Sequence, residues 1–211
     1  NKITALYNGP QETFTDHHNR QVTTQQRIAG AHPYFLFVGA QNPRKNLHRI
    51  FKAFDAWVTK HNGKQHLVLV GERMLWNEEI QQTWKNMQHK DRVHFTGRLD
   101  SRHLNDAYSA ATALLFPSLH EGFGMPIIEA FASGCPVITS LSTAMPEVAG
   151  DAALLVDPTS TDEIITAMEK LATDDALGKE LRKKGFERAK LFSWDSVALE
   201  ISEIIKKLAS A

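Results

Sequence analysis

From Pro33 onward, short apolar runs alternate with longer amphipathic stretches. The runs Tyr34–Val38, Gln65–Val70, Val93–Phe95, Ala113–Phe116, Val137–Ile138 and Ala153–Leu155 are short and bounded by turn residues, so they read as strands. Between them the periodicity predicts helices near Leu47–Lys60, Asn77–His89, Leu104–Ala110 and Pro126–Ser133. Strands separated by helical crossovers of this length predict an α/β fold, a Rossmann-like three-layer α/β/α arrangement around a parallel sheet. In such a sheet ligands lie beyond the carboxyl ends of the strands, so the segments that follow each strand are where chemistry is expected.

The ends of the chain break this rhythm. Residues 1–32 hold one apolar stretch, Ile3–Tyr7, then the turn signal Asn8-Gly9-Pro10 and a tract rich in Gln, Thr and His, which reads as a connection and a polar arm. Past Leu155 the pattern is helical. Thr161-Asp162-Glu163 opens one helix with acidic residues suited to the helix dipole, Ala176–Lys190 forms a second, and Ser193 caps a third that runs to Leu208. Val197, Leu199, Ile201, Ile204, Ile205 and Leu208 give this last helix an incomplete apolar stripe. The expected division is a connection and arm over 1–32, the α/β domain over 33–190 and a C-terminal helix over 191–211.

Composition narrows the function classes. With 211 residues, 42% of them hydrophobic, the chain can bury a sizeable core. Lys plus Arg and Asp plus Glu both number 24, so no broad cationic field exists to gather nucleic acid. The single cysteine, Cys135, cannot form an internal disulfide and lies in an apolar stretch, where it reads as a buried thiol. Nothing in the sequence contradicts a reducing compartment, and no apolar run is long enough to cross a bilayer as a helix. None of the ten histidines forms a His-x-x-x-His pair, so no metal or other cofactor is expected; His120 alone stands where it could line a site. Trp57, Trp76, Trp84 and Trp194 are scattered and read as helix packing anchors.

The most informative stretch is Phe116 to Thr139. A strand ends at Phe116, a loop carries Glu121-Gly122-Phe123-Gly124, and Pro126 suits the first turn of a helix. Amides from Gly124 to Ile128, Pro126 excepted, can face an anion at that helix start, with Glu129 near the end of the first turn to accept ligand hydroxyls. The same residues also suit a plain strand-to-helix turn with Glu121 in water and Glu129 placed for the dipole. On the residues alone both readings stand.

Glu121, seven residues, then Glu129, set among Pro117-Ser118, Gly122-Phe123-Gly124, Glu129-Ala130 and Gly134-Cys135-Pro136-Val137-Ile138, resembles the signature of family 4 of the retaining glycosyltransferases. Phe37-Val38-Gly39 with Pro43-Arg44-Lys45-Asn46-Leu47, Leu69-Val70-Gly71, Val93 to Leu99 with Leu104 and Tyr108, and Gly150 to Pro158 resemble further segments of that family in order. The resemblance implies the C-terminal, donor-binding lobe of a GT-B fold, whose partner lobe holds the acceptor. It implies Lys45 on the donor diphosphate, Glu129 on the ribose, backbone groups of Gly122, Phe123, Gly124 and Met125 on sugar and phosphate, and Arg98 and Leu99 near the base. Glu121 is implied at the transferred sugar as the catalytic group, steadying charge at the anomeric carbon rather than acting as a nucleophile. Many relatives carry Arg after the glycine equivalent to Gly39, where this chain has Ala40, and Arg44 or Arg98 is the candidate replacement. Phe123 also reads as a packing residue. The donor expected first is GDP-mannose and second UDP-glucose, for transfer to a saccharide or lipid-linked acceptor at the cytoplasmic face of a membrane. Acceptor residues are expected outside this chain, which alone should show little or no turnover. The alternatives are another GT-B sugar-nucleotide enzyme, such as an epimerase, or a non-catalytic nucleotide-binding domain.

Overall fold

The computed structural model describes residues 5–209, the side chain of His18 excepted. Residues 1–4 of the expected connection, with Ile3 and Thr4 of its apolar stretch, and residues 210 and 211 of the expected C-terminal helix lie outside that range. Nine helices and six strands follow in the order α1 (Gln21–Ala29), β1 (Tyr34–Val38), α2 (Leu47–His61), β2 (His66–Val70), α3 (Glu78–Asn86), β3 (Val93–Gly97), α4 (Ser101–Ala110), β4 (Ala113–Phe116), α5 (Met125–Ala132), β5 (Val137–Ser140), α6 (Met145–Ala149), β6 (Leu154–Val156), α7 (Thr161–Thr173), α8 (Asp175–Ala189) and α9 (Trp194–Ala209), among the described residues. The strands form one sheet in the order β3-β2-β1-β4-β5-β6. Every pairing is parallel.

Alternation along β1 assigns the two layers. Tyr34, Leu36 and Val38 face a core completed by Tyr108 of α4 and by Ile127, Ile128 and Phe131 of α5. Phe35 and Phe37 face the opposite core, with Leu47, Phe51, Phe54 and Trp57 of α2, Ile80 of α3 and Ile164 and Met168 of α7. Period-two alternation with both faces apolar is what a strand covered on both sides requires. The strand order reverses between β1 and β4. In a doubly wound sheet that reversal splays the flanking loops apart and leaves a crevice at the carboxyl ends, the place where such folds hold ligands.

Two glycines let the loops crowd there. Gly39 follows β1 with φ +134 and Gly71 follows β2 with φ +125, both in the region that favours glycine. A Cβ on Gly71 would stand 2.2 Å from the Gly39 carbonyl oxygen, so the two strand ends touch only because it is absent. At the other rim the polar groups are aromatic. The rings of His32 and His66 stack at 4.1 Å, and His66 Nδ1 lies 2.7 Å from His94 Nε2.

Several expectations need correction. The polar arm contains α1, which sequence periodicity does not show. Its helix is secured by tertiary contacts, Gln25 Nε2 donating to the Ala110 carbonyl at 3.2 Å and Gly30 ending it at φ 60. The arm also docks on α4: the Thr15 amide donates to Asn105 Oδ1 and the His17 ring meets Asp106 at 2.9 Å. Trp194 is 53% exposed and is no packing anchor, whereas Trp57 is buried on α2 and Trp76 and Trp84 pack their rings on Phe51 of α2 at 5.7 and 5.3 Å. Cys135 is buried as expected, and burial pushes its thiol up to about 12.

Candidate functional site

The loop after β1 is shaped by its own side chains. Asn42 Oδ1 accepts from the Lys45 amide at 3.2 Å, capping a single 3-10 turn over Pro43–Lys45. Asn46 then turns the chain at φ 62 and is fully buried. Its amide nitrogen donates to the carbonyls of Pro117 at 2.8 Å and Pro158 at 2.7 Å. One side chain therefore fastens the loop after β1 to the loops after β4 and β6. The Leu119 amide adds a bond to the Arg44 carbonyl at 2.9 Å.

This fastening brings the sequence-derived candidates of two loops together. Lys45 Nζ and Arg44 Nη1 both lie 2.8 Å from Glu121, on Oε1 and Oε2 respectively. Arg44 also donates to the His120 carbonyl at 2.7 Å. Lys45 Nζ stands over the Phe116 ring, 4.3 Å from its centroid, a placement that stabilises a desolvated cation. The side chains of Lys45 and Glu121 are 9% and 10% exposed, so neither is the water-facing residue that a plain turn would have left. Burial works to raise the Glu121 carboxyl, but hydrogen bonds from Lys45 and Arg44 outweigh it and hold the group below its usual range. Burial lowers the Lys45 ammonium in spite of its pairing with Glu121. Glu121 is therefore a carboxylate at neutral pH.

Glu129 lies on α5, and its Oε2 accepts a hydrogen bond from the Tyr108 hydroxyl at 3.0 Å. Burial raises its carboxyl, opposed by that hydrogen bond and by the Lys45 charge. A cleft of about 400 Å³ is lined by Gly39, Ala40, Arg98, Leu99 and Glu129 together with Phe14 of the arm. Arg98 and Leu99 thus share a cleft with Glu129, whereas the ion pairs of Glu121 among the described residues are with Arg44 and Lys45. A larger surface groove, about 820 Å³ between α2, α3 and α7, contains none of these residues, so groove size is a poor guide here.

The helix start departs from expectation in one respect. Gly124 takes φ 109 and the Ile127 amide donates to its carbonyl at 2.9 Å, so that amide is committed within the turn and is not offered to an anion. Phe123 packs its ring against Tyr7 and Phe192 at 6.2 and 5.9 Å, which accounts for its side chain as a packing element. Gly122 and Met125 occupy the same loop and helix start. Thr143, which the sequence did not single out, accepts from the Glu121 amide at 3.3 Å. The sequence likewise assigns no role to Tyr108 or Asn46, whose partners are set by folding rather than by spacing.

What the crevice can do follows from its groups. Lys45 and Arg44 can meet phosphoryl oxygens, and Glu121 and Glu129 can accept hydroxyl hydrogens, with the Lys45 charge felt by both carboxylates. Among the described residues no cluster of His, Cys, Asp and Glu can hold a metal ion, and no helix is long and apolar enough to cross a membrane.

Known proteins share this architecture. The O-antigen chain mannosyltransferase B of Escherichia coli is 32% identical over 178 residues, covering 83% of this chain and 46% of that protein. The sucrose-phosphate synthase of Thermosynechococcus elongatus superposes with a TM-score of 0.82 at 27% identity, covering 97% of this chain and 52% of that one. The C-terminal domain of a glycosyl transferase group 1 family protein from Francisella tularensis gives 0.72 at 25% identity, over 86% of this chain and 96% of that domain. The chain therefore spans about half the length, or less, of the full proteins it matches. Its sheet and flanking helices match the C-terminal lobe of a GT-B fold. Residues 4–190 fit the family described as Glycosyl transferases group 1, and the chain belongs to that family.

Proposed function

We propose that this chain is the donor-binding lobe of a retaining glycosyltransferase that moves a mannosyl residue from GDP-mannose to a saccharide or lipid-linked acceptor held by a second lobe. The observation that carries the reading is the convergence of Arg44 and Lys45 on Glu121 at the β1–β4 reversal, beside a cleft that includes Glu129. Lys45 and Arg44 take the diphosphate, Arg44 serving where Ala40 replaces the more usual arginine. Negative charge grows on the departing nucleoside diphosphate, and fixed cations stabilise it without reorganising solvent. Glu129 takes the ribose hydroxyls, Arg98 and Leu99 flank the base, and Gly39 lets the backbone approach. Backbone groups of Gly122, Phe123, Gly124 and Met125 meet the sugar and phosphate.

Glu121 faces the transferred sugar once the cations turn to phosphate. It accepts sugar hydroxyls and steadies positive charge at the anomeric carbon, while the leaving phosphate assists deprotonation of an acceptor attacking from the same face. The mannosyl assignment is supported by the Escherichia coli relative, an O-antigen chain mannosyltransferase. The full enzyme works at the cytoplasmic face of a membrane, where a lipid-linked acceptor is presented.

Calorimetric titration with GDP, UDP, GDP-mannose and UDP-glucose tests the donor site. GDP and GDP-mannose should bind most tightly, and Lys45→Ala should weaken GDP far more than GMP. A folded chain that binds none of the four has no donor site of this kind. Tighter binding of the uridine compounds would replace mannose by glucose as the assigned sugar.

A further inference from the structure

Glu129 is not free to point where it likes. Tyr108 is fully buried on α4, and its hydroxyl donates to Glu129 Oε2 at 3.0 Å. Glu129 Oε1 has no hydrogen-bond partner among the described residues and belongs to a side chain lining the 400 Å³ cleft. A buried phenol needs a partner, and a backbone carbonyl usually suffices. Tyr34, on the same face of the sheet, is satisfied in that way by the Ala107 carbonyl at 2.6 Å. Tyr108 is satisfied instead by a carboxylate that faces the cleft.

The spacing between the two side chains is also fixed. Ser133, at the end of α5, donates to Asn105 Oδ1 at 2.7 Å, and Ser109 donates to the Ser133 carbonyl at 3.0 Å. These bonds hold α4 and α5 together from residues on either side of Tyr108. Phe14 adds an edge-on contact to the Tyr108 ring at 6.0 Å, closing the remaining side. A glutamate has three side-chain torsions, and ordering it during ligand capture would reduce affinity.

We infer that Tyr108 is a positioning residue for nucleotide binding: its hydroxyl holds Glu129 Oε2 so that Oε1 is presented to the vicinal hydroxyls of a ribose. This rests on the assignment of Glu129 to the ribose. Tyr108 itself touches no ligand, and its influence passes through Glu129.

The test compares GDP with 2′,3′-dideoxy-GDP on the full chain, using UDP and its dideoxy form as a parallel pair. The unaltered protein should prefer the ribose form by about tenfold, as expected for a hydrogen bond to a charged group. Tyr108→Phe should lose most of that preference while binding the dideoxy form as before. It should also lose ribose binding at a higher pH on acidification, because the Glu129 carboxyl rises further without the phenol's hydrogen bond. Glu129→Ala should abolish the preference, and Tyr108→Phe combined with Glu129→Ala should match Glu129→Ala alone. That match, taken with the loss in Tyr108→Phe, places the effect of Tyr108 in Glu129. Equal weakening of both nucleotides by Tyr108→Phe, or a further loss in the combined variant, overturns the positioning role. Retention of the ribose preference in Glu129→Ala overturns the assignment of Glu129, and this inference with it.

Discussion

The two rims of the sheet both gather titratable side chains and satisfy them in opposite ways. At the carboxyl ends, Lys45 and Arg44 meet the Glu121 carboxylate at 2.8 Å. At the amino ends, His32, His66 and His94 form a stack of rings, and burial together with the neighbouring imidazoles holds His66 down to about 4, so it is neutral. A group removed from water must find an opposite charge or give up its own. The crevice follows the first course and the histidine stack the second. Since a buried ion pair returns little net stability after desolvation, stability alone does not account for the crevice, whereas packing is enough to account for the stack. The kind of residue present at each rim is thus less telling than the way its charge is held.

That contrast can be broken most severely at Asn46. Asn46→Gly keeps the φ of 62 accessible but strands the Pro117 and Pro158 carbonyls, and should destabilise the fold by about 4 kcal/mol in urea unfolding. A loss under about 1 kcal/mol would mean that the strand-end loops do not depend on this fastening. Next comes Lys45→Met, which leaves Glu121 with Arg44 alone and should cost about 3 kcal/mol by the same measurement. If Lys45→Met is instead stabilising, the pair is a burden that only ligand binding can justify, and the contrast becomes sharper.

The histidine rim should show a smaller effect with a defined direction. His66 titrates near 4 in the fold and at 6.5 in the unfolded chain, so the unfolded state takes up the proton first as pH falls. Its stabilising contribution is complete above pH 6.5, declines as pH falls from 6.5 towards 4, and levels off below. Partial exposure screens the effect, leaving about 1 kcal/mol across the window. His66→Phe should flatten that part of a stability-against-pH curve, and an unchanged slope would remove the stack as its source. Smallest of all is α9, none of whose described residues is buried. Leu199→Lys should change stability by less than about 0.5 kcal/mol in thermal unfolding, and a larger loss would reveal packing on that helix.

Much of this was legible in the sequence because it is local. β1 and β4 coincide with Tyr34–Val38 and Ala113–Phe116, since each is a short apolar run closed by Gly39 or Pro117. That Lys45 and Glu121 both stand in loops after central strands was readable too, but their ion pair was not, since it depends on the loop conformation that Asn46 holds. Where local pattern is weak, the sequence was silent. In α1, Val22 is 67% exposed and the buried residues are Thr24 and Ala29, so no apolar stripe announces a helix held by its contacts with α4. Tyr108 and Glu129 are 21 positions apart on different helices, and no spacing rule connects them. The stripe on α9 was readable, yet its exposure depends on what else stands near, which periodicity does not encode.

Arg44, Lys45, Glu121 and Glu129 amount to two cations against two carboxylates. Because Lys45 and Arg44 are already paired with Glu121, chloride, sulfate or free phosphate would have to evict that carboxylate and would offer nothing in return to Glu121 or Glu129. Only a molecule that brings phosphoryl oxygens and hydroxyls together can answer all four at once. If the crevice is the donor site proposed above, discrimination against simple anions precedes any inspection of sugar or base.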